Sequence, residues 1–297
     1  MKILLLGKNG QLGWELQRSL APLGELIALD RNGLDRLRGD LADLDGLRDT
    51  VRGLRPDVIV NAAAYTAVDR AETDRERALL INARAPQALA EEMHALGGWL
   101  VHFSTDYVFD GQDATPWRET DVPAPLNYYG VSKLQGEQAV RASGCNHLLF
   151  RTSWVYGSHG NNFIKTMLTL ARQREQLRVV ADQFGAPTGA ELLADVTAHA
   201  LRAALGEPGV SGTYHVAASG STSWCEYARF VIEQAGGLGV SLAVQNVEPI
   251  PTSSYPTPAT RPLNSRLDTT VVQAAFDIHL PHWRDGVSRV LSEIIRS

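Results

Sequence analysis

The first twenty residues constrain this chain more than any other stretch. After Lys2, residues 3–6 (ILLL) are apolar without interruption. "GKNGQLG" (7–13) follows with Gly7, Gly10 and Gly13 three apart, and "QLGWELQRSLA" (11–21) sets Leu12, Leu16 and Leu20 on one helical face. A strand running through a glycine loop into a helix predicts the opening unit of a doubly wound sheet. A strand with no polar face must be covered on both sides, so helices are expected on each face of a parallel sheet. The alternation continues, with strands expected at 25–30, 57–64, 99–109 and 147–157 and helices at 43–54, 74–97 and 129–143. The fold class expected is therefore α/β, a Rossmann-like domain over 1–157. Beyond residue 158 the pattern loosens: helices at 161–174, 191–205, 223–236 and 283–296, short strands at 177–180 and 213–217, and a Pro/Ser/Thr-rich ordered loop at 248–265. Residues 158–297 are expected to form a smaller substrate-binding lobe over the C-terminal edge of the sheet, with some segments returning to the first domain.

Composition narrows the function classes. The 297 residues are 44% hydrophobic, enough for a large core. The net charge of −5 and the lack of any basic tract argue against a nucleic-acid partner. Apolar runs fall well short of the ~18–20 residues that span a bilayer, and the N-terminus lacks the long apolar region of a signal peptide. No membrane association is expected, and the cytoplasm is the expected compartment. Cys145 and Cys225, the two cysteines, are too few for a disulfide framework or metal knuckle and are expected to be reduced thiols.

The glycine loop suits a dinucleotide. Gly7 permits the tight turn, Gly10 lets a pyrophosphate approach the backbone, and Gly13 lets the helix pack on the strand, with the helix N-terminus facing the phosphates. Asp30 ends the second strand 17 residues after Gly13, where a carboxylate meets ribose hydroxyls, and Arg31 beside it could meet a 2′-phosphate. The first residue favours NAD and the second NADP. Asp40 could accept from an adenine amino group and Leu41 could cover the ring. In "NAAAY", Ala62, Ala63 and Ala64 let a cofactor lie close.

In "PLNYYGVSK", Tyr129 and Lys133 are spaced i, i+4 and share a helix face, whereas Tyr128 points elsewhere. An ammonium beside a phenol is expected to lower the phenol pKa, making Tyr129 a general acid with Lys133 tuning it and binding the nicotinamide ribose. In "HFSTDYVF", Thr105 stands at the C-terminal end of a strand, where its hydroxyl could hold a carbonyl oxygen.

Together the stretches "GKNGQLG", "NAAAYTAVDRAE", "FSTDYVFDG", "PLNYYGVSK", "RTSWVYG", "DQFGAPT" and "RPLNSRLD" resemble the extended short-chain dehydrogenase/reductases that act on nucleotide sugars, and within them the dTDP-4-dehydrorhamnose reductases. The resemblance spans residues 7–268. It implies Thr105, Tyr129 and Lys133 as the catalytic set. It also implies cofactor contacts at Gly10, Gln11, Leu12, Asp30, Arg31, Asp40, Leu41 and Ala63 to Tyr65, and sugar-nucleotide contacts at Asp106, Trp154 and Val68. The implied reaction is hydride transfer from NADPH or NADH to the C4 ketone of dTDP-4-dehydro-L-rhamnose, giving dTDP-L-rhamnose for surface polysaccharide. Some family members bind magnesium at a dimer interface through glutamates. Glu15, Glu191 and Glu293 are the positions that would carry such a site, and with it a homodimer. Two rivals are a dehydratase or epimerase of the same fold and a non-catalytic cofactor-binding subunit. A dehydratase would carry an Asp–Glu pair after the threonine, but Tyr107 follows Asp106; a regulatory subunit need not keep Thr105, Tyr129 and Lys133 together.

Overall fold

The computed structural model describes residues 1–296. Six parallel strands form the central sheet: β1 (Lys2–Leu6), β2 (Glu25–Leu29), β3 (Val58–Asn61), β4 (Trp99–Thr105), β5 (Asn146–Thr152) and β6 (Gly212–His215). Their order is β2-β1-β3-β4-β5-β6. The chain leaves β1 toward one edge and returns to β3 on the other side, so the strand order reverses between β1 and β3. Crevices at the carboxyl ends of the strands at such a point are where open α/β sheets bind ligands.

The sheet alternates as the period-2 geometry of a strand demands. Ile3, Leu5, Val58 and Val60 face α1 (Gln11–Leu20) and a later helix, Ala190–Gly206, which supply Leu16, Leu20, Leu193 and Leu201. Leu4, Leu6, Ile59 and Leu100 face the opposite way, against Leu47 and Val51 of α2 (Leu44–Leu54) and Leu89 and Met93 of α3 (Ala85–Leu96). Residues Ile3 to Leu6 are fully buried, each side chain contributing about 1.5–3 kcal/mol. The helix α4 (Tyr128–Ala142) completes that second face, capped by the Asn127 side chain accepting from Gly130 N at 2.8 Å.

A second core lies over the C-terminal edge. The helices α5 (Phe163–Gln173), α7 (Trp224–Gly237) and α9 (Trp283–Arg296) bury Ile164, Leu168, Tyr227, Val231, Val287 and Leu291 together; α6 is Ala190–Gly206 and α8 is Thr270–Phe276. Residues 190–217 pack on the first domain, α6 against α1 and β6 onto β5. Three differences from the sequence reading stand out. The strands expected to run to residues 64, 109 and 157 end at Asn61, Thr105 and Thr152. Their last residues turn into the cleft and leave the ladder there. The segment expected to be loop at 248–265 begins within a strand, Asn246–Ile250, parallel to Gln176–Val180. The 74–97 helix is interrupted by a π-turn at Leu80–Arg84. Among the described residues, no helix is long and apolar enough to cross a membrane.

Candidate active site

A cavity of about 910 Å³ runs across the carboxyl ends of β1 to β5. At one end lies the glycine loop. Gly7 has φ +89°, and a Cβ there would come within 2.8 Å of Ala63 N. A Cβ on Gly13 would sit 2.0 Å from Gly7 O, so Gly13 serves helix packing and does not line the cavity. Gly10, Gln11 and Leu12 do line it. The N-terminus of α1 has no side-chain cap and no acidic residue in its first turn, which leaves its backbone N–H groups free for an anion.

Asp30, Arg31, Asp40 and Leu41 line the same end, as do Ala62, Ala63 and Ala64. The Asn32 amide holds the Asp30 carboxyl below its usual range, with Asn9 and the Lys8 ammonium, 3.7 Å away, adding to the effect. Arg31 is exposed at the rim. Tyr65 was expected at this site but does not line it. Its phenol donates to Asp74 at 3.1 Å, while its backbone N–H and C=O are bound by the Asn82 amide at 2.9 and 3.1 Å. Asn82 lies on the π-turn and also donates to Ser132 at 2.9 Å, tying the 62–65 loop to α4. The residues present fit a dinucleotide: an uncapped helix start, small residues where the backbone must be approached, and a carboxylate at the end of β2.

Deeper in, Thr105, Asp106, Tyr129 and Lys133 meet at the wall. Tyr128 stays out, its ring stacked under Arg75 at 5.0 Å. Thr105 accepts from Tyr107 N at 3.1 Å and donates to Asp106 Oδ1 at 3.0 Å. The expectation that Lys133 lowers the Tyr129 phenol is not met in the protein by itself. Burial pushes that phenol up, Asp106 adds to the rise, and Thr105 partly offsets it. The reason is orientation. The Lys133 ammonium donates to Phe103 O at 2.5 Å and lies 3.4 Å from His102 Nε2. Burial lowers Lys133 to about 8, with Glu137 opposing.

Beyond the tyrosine, Val68 and Trp154 line the outer cleft. Trp154 has φ +49°, a strained left-handed backbone for a bulky residue, and its indole stacks on Trp224 at 3.6 Å. Trp224, Asn9, Ile81, Gly160 and Asn161 also line the cavity and had not been singled out in the sequence. Trp224 sits 70 residues from Trp154, and no spacing links them. The loop before α5 is held over the glycine turn by Asn162 donating to Gln11 at 2.9 Å and by His159 stacked on Trp14 at 4.6 Å.

The suggested metal site does not assemble. Among the described residues no group of three or more His, Cys, Asp or Glu side chains is arranged to hold a metal ion. Glu15 pairs with Arg18 at 3.4 Å and Glu293 with Arg289 at 3.3 Å, while burial raises the Glu191 carboxyl. Neighbouring arginines take the role a cation would have.

Comparison with known proteins agrees with this geometry. The family model described as RmlD substrate binding domain matches residues 1–296. A dTDP-4-dehydrorhamnose reductase of Escherichia coli K12 is 56% identical over 294 residues, covering 99% of this chain and 98% of that one. The solved dTDP-4-dehydrorhamnose reductase of Clostridium acetobutylicum superposes with a TM-score of 0.89 at 35% identity, covering 99% of this chain and 100% of that one. That of Bacillus anthracis, in complex with NADP, gives 0.88 at 35% identity, covering 98% and 99%. A match along the whole described chain, joined to this glycine loop and this Thr–Tyr–Lys cluster, shows that the chain belongs to the RmlD substrate binding domain family.

Proposed function

We propose that this protein reduces the C4 ketone of dTDP-4-dehydro-L-rhamnose to dTDP-L-rhamnose with NADPH or NADH. The observation that carries the reading is the convergence of Thr105, Tyr129 and Lys133 on the cavity that also holds the glycine loop. When bound, the nicotinamide supplies the hydride. The glycine turn and the α1 N-terminus hold the pyrophosphate, and Asp30 and Arg31 hold the adenosine ribose. Lys133, fixed by Phe103 O, presents its remaining donors to the nicotinamide ribose. Thr105 orients the ketone, and Tyr129 gives its proton to the oxygen as negative charge develops there. Trp154 and Trp224 form a stacked aromatic wall for the sugar. The dehydratase alternative lacks its second carboxylate: Tyr107 fills that position, half-buried and beside Arg261. The cytoplasm, where nucleotide sugars and NADPH are made, is the proposed compartment.

Two expected results test this. Purified protein turns over dTDP-4-dehydro-L-rhamnose with either cofactor, followed by loss of absorbance at the reduced nicotinamide band. Arg31→Ala lowers the NADPH/NADH ratio of kcat/KM roughly tenfold, the scale of one charge-assisted hydrogen bond at a partly wet site. An unchanged ratio means that Arg31 does not touch the 2′-phosphate, and no turnover with either cofactor sinks the reading. Trp154→Ala raises KM for the sugar by about tenfold while NADPH binding measured without sugar hardly moves. A variant that loses stability but keeps its KM shows that the indole only packs.

A further inference from the structure

Donation by Tyr129 leaves a phenolate in a site where burial and a neighbouring carboxyl both disfavour that charge. It must be reprotonated within each cycle, and the Lys133 ammonium is turned toward Phe103 O and His102. Another proton source stands closer. Asp106 follows Thr105 at the end of β4 and is 2% exposed. Its Oδ1 accepts from the Thr105 hydroxyl at 3.0 Å, and its Oδ2 is buried without a hydrogen-bond partner. The same Thr105 hydroxyl engages the Tyr129 phenol, so carboxyl, hydroxyl and phenol form one chain on the cavity wall.

Resting on the reduction assigned above, we propose that Asp106 is the proton reservoir that reloads Tyr129 through the Thr105 hydroxyl. As the ketone carbon receives hydride, the Tyr129 O–H bond breaks and a new O–H bond forms on the sugar. The phenolate then takes the Thr105 hydroxyl proton while Thr105 takes the carboxyl proton of Asp106. Asp106 is left as a carboxylate and recovers its proton from water when product leaves. One hydride and one proton are consumed, and no other redox partner is needed. Asp106 acts through Thr105 and is a positioning residue in this scheme, not a donor to the sugar.

The groups facing Asp106 are Tyr129 from α4, Tyr107 from its own segment and the Ser265 hydroxyl from the strap at 262–268. Tyr107 in turn engages Arg261, which is paired with Asp69. Burial raises the Asp106 carboxyl to about 7, against weaker opposition from Ser265 and Thr105, so the group changes protonation in the working range.

The test compares wild type, Asp106→Asn and Asp106→Glu. In the enzyme alone, carbon-13 NMR of labelled aspartate carboxyls is expected to show one group titrating near pH 7 that is missing from Asp106→Asn. With substrate, kcat for reduction in the wild type falls as pH rises through that value, because the reservoir empties. In Asp106→Asn, kcat drops about 10–100-fold and this inflection disappears, while KM for the sugar stays within about threefold; Asp106→Glu keeps a titrating inflection. Absence of the titrating carboxyl in the free enzyme overturns the proposal whatever the substrate. An Asp106→Asn enzyme with a raised KM but wild-type kcat and pH profile overturns it by showing that the carboxyl only binds sugar. A lowered kcat on an unchanged pH profile overturns it by showing that the role is structural. Wild type inert toward the dehydro-sugar, with the carboxyl titrating normally, overturns the assigned reaction instead.

Discussion

Tyr129→Phe is expected to lower turnover by about 10²–10⁴-fold, the usual worth of a positioned general acid, with cofactor affinity nearly unchanged. The phenol is the acidic group that the Thr105 hydroxyl and the cavity bring together, whereas Phe keeps the ring and its edge contact with Tyr107 at 5.9 Å. Tyr128→Phe is the matched control. Its ring lies under Arg75, and its backbone N–H donates to Glu72 at 2.7 Å, a bond the substitution leaves intact. Single-turnover kinetics with pre-bound NADPH separate the chemical step from binding. If Tyr128→Phe proves the more damaging change, the assignment of the acid is wrong.

Glu137→Ala is expected to cost about 3–5 kcal/mol of stability, because it leaves a guanidinium buried without its partner. Glu137 lies one helical turn beyond Lys133, is fully buried, and takes two bonds from Arg151 of β5, at 2.9 and 2.7 Å. Ser104 donates to the same carboxylate at 2.6 Å. On its far side Arg151 lies 3.4 Å from His215 Nε2, and His215 Nδ1 donates to Trp117 O at 3.0 Å. Because a carbonyl only accepts, the Nδ1 proton leaves Nε2 free to accept from Arg151. Burial and the adjacent Arg151 lower His215 to about 3, so the ring is neutral at working pH. The pair therefore docks the helix that carries Tyr129 and Lys133 onto the sheet. Urea unfolding measures the cost, and turnover should fall with it. Replacing both partners, Glu137→Leu with Arg151→Met, should recover much of the stability, since a well-packed apolar pair of similar volume often does as well. A single variant within about 1 kcal/mol of wild type means that water reaches Arg151 and the pair is not dry.

The same buried layer explains how function is built into this fold. Tyr129, Lys133 and Glu137 form one stripe at intervals of four along α4. The outer member meets the cavity, the middle one the end of β4, and the inner one β5. The π-turn at Leu80–Arg84 adds a second anchor, since a Cβ on Gly136 would lie 2.1 Å from Asn82 O. π-turns of this kind are rare and occur often at functional sites. Here the turn turns Asn82 toward both the alanine loop and Ser132.

Much of this was legible in residues that are close together in the chain. The uninterrupted Ile3–Leu6 run, the three glycines and the i, i+4 Tyr–Lys pair are local patterns, and local patterns dictate strand, loop and helix face by the 2.0 and 3.6 periods alone. They sufficed for the central sheet and for the loop–helix unit that faces the phosphates. What they could not contain was distance and direction between segments far apart in sequence. Tyr65 has the right position beside three alanines, but Asn82 and Asp74 turn its side chain away from the cleft. Lys133 has the right spacing from Tyr129, but Phe103 O draws its ammonium elsewhere and the phenol rises where it was expected to fall. Trp224 belongs to the wall only because α7 brings it onto Trp154. The strand at Asn246–Ile250, with Pro249 inside it, forms on the edge of a two-stranded ladder, where a missing N–H is tolerated. Sequence periodicity determined which faces must be buried. Only the tertiary packing decided which polar groups those faces bring together, because burial and long-range partners, not neighbours in the chain, set where a side chain points and which charge it holds.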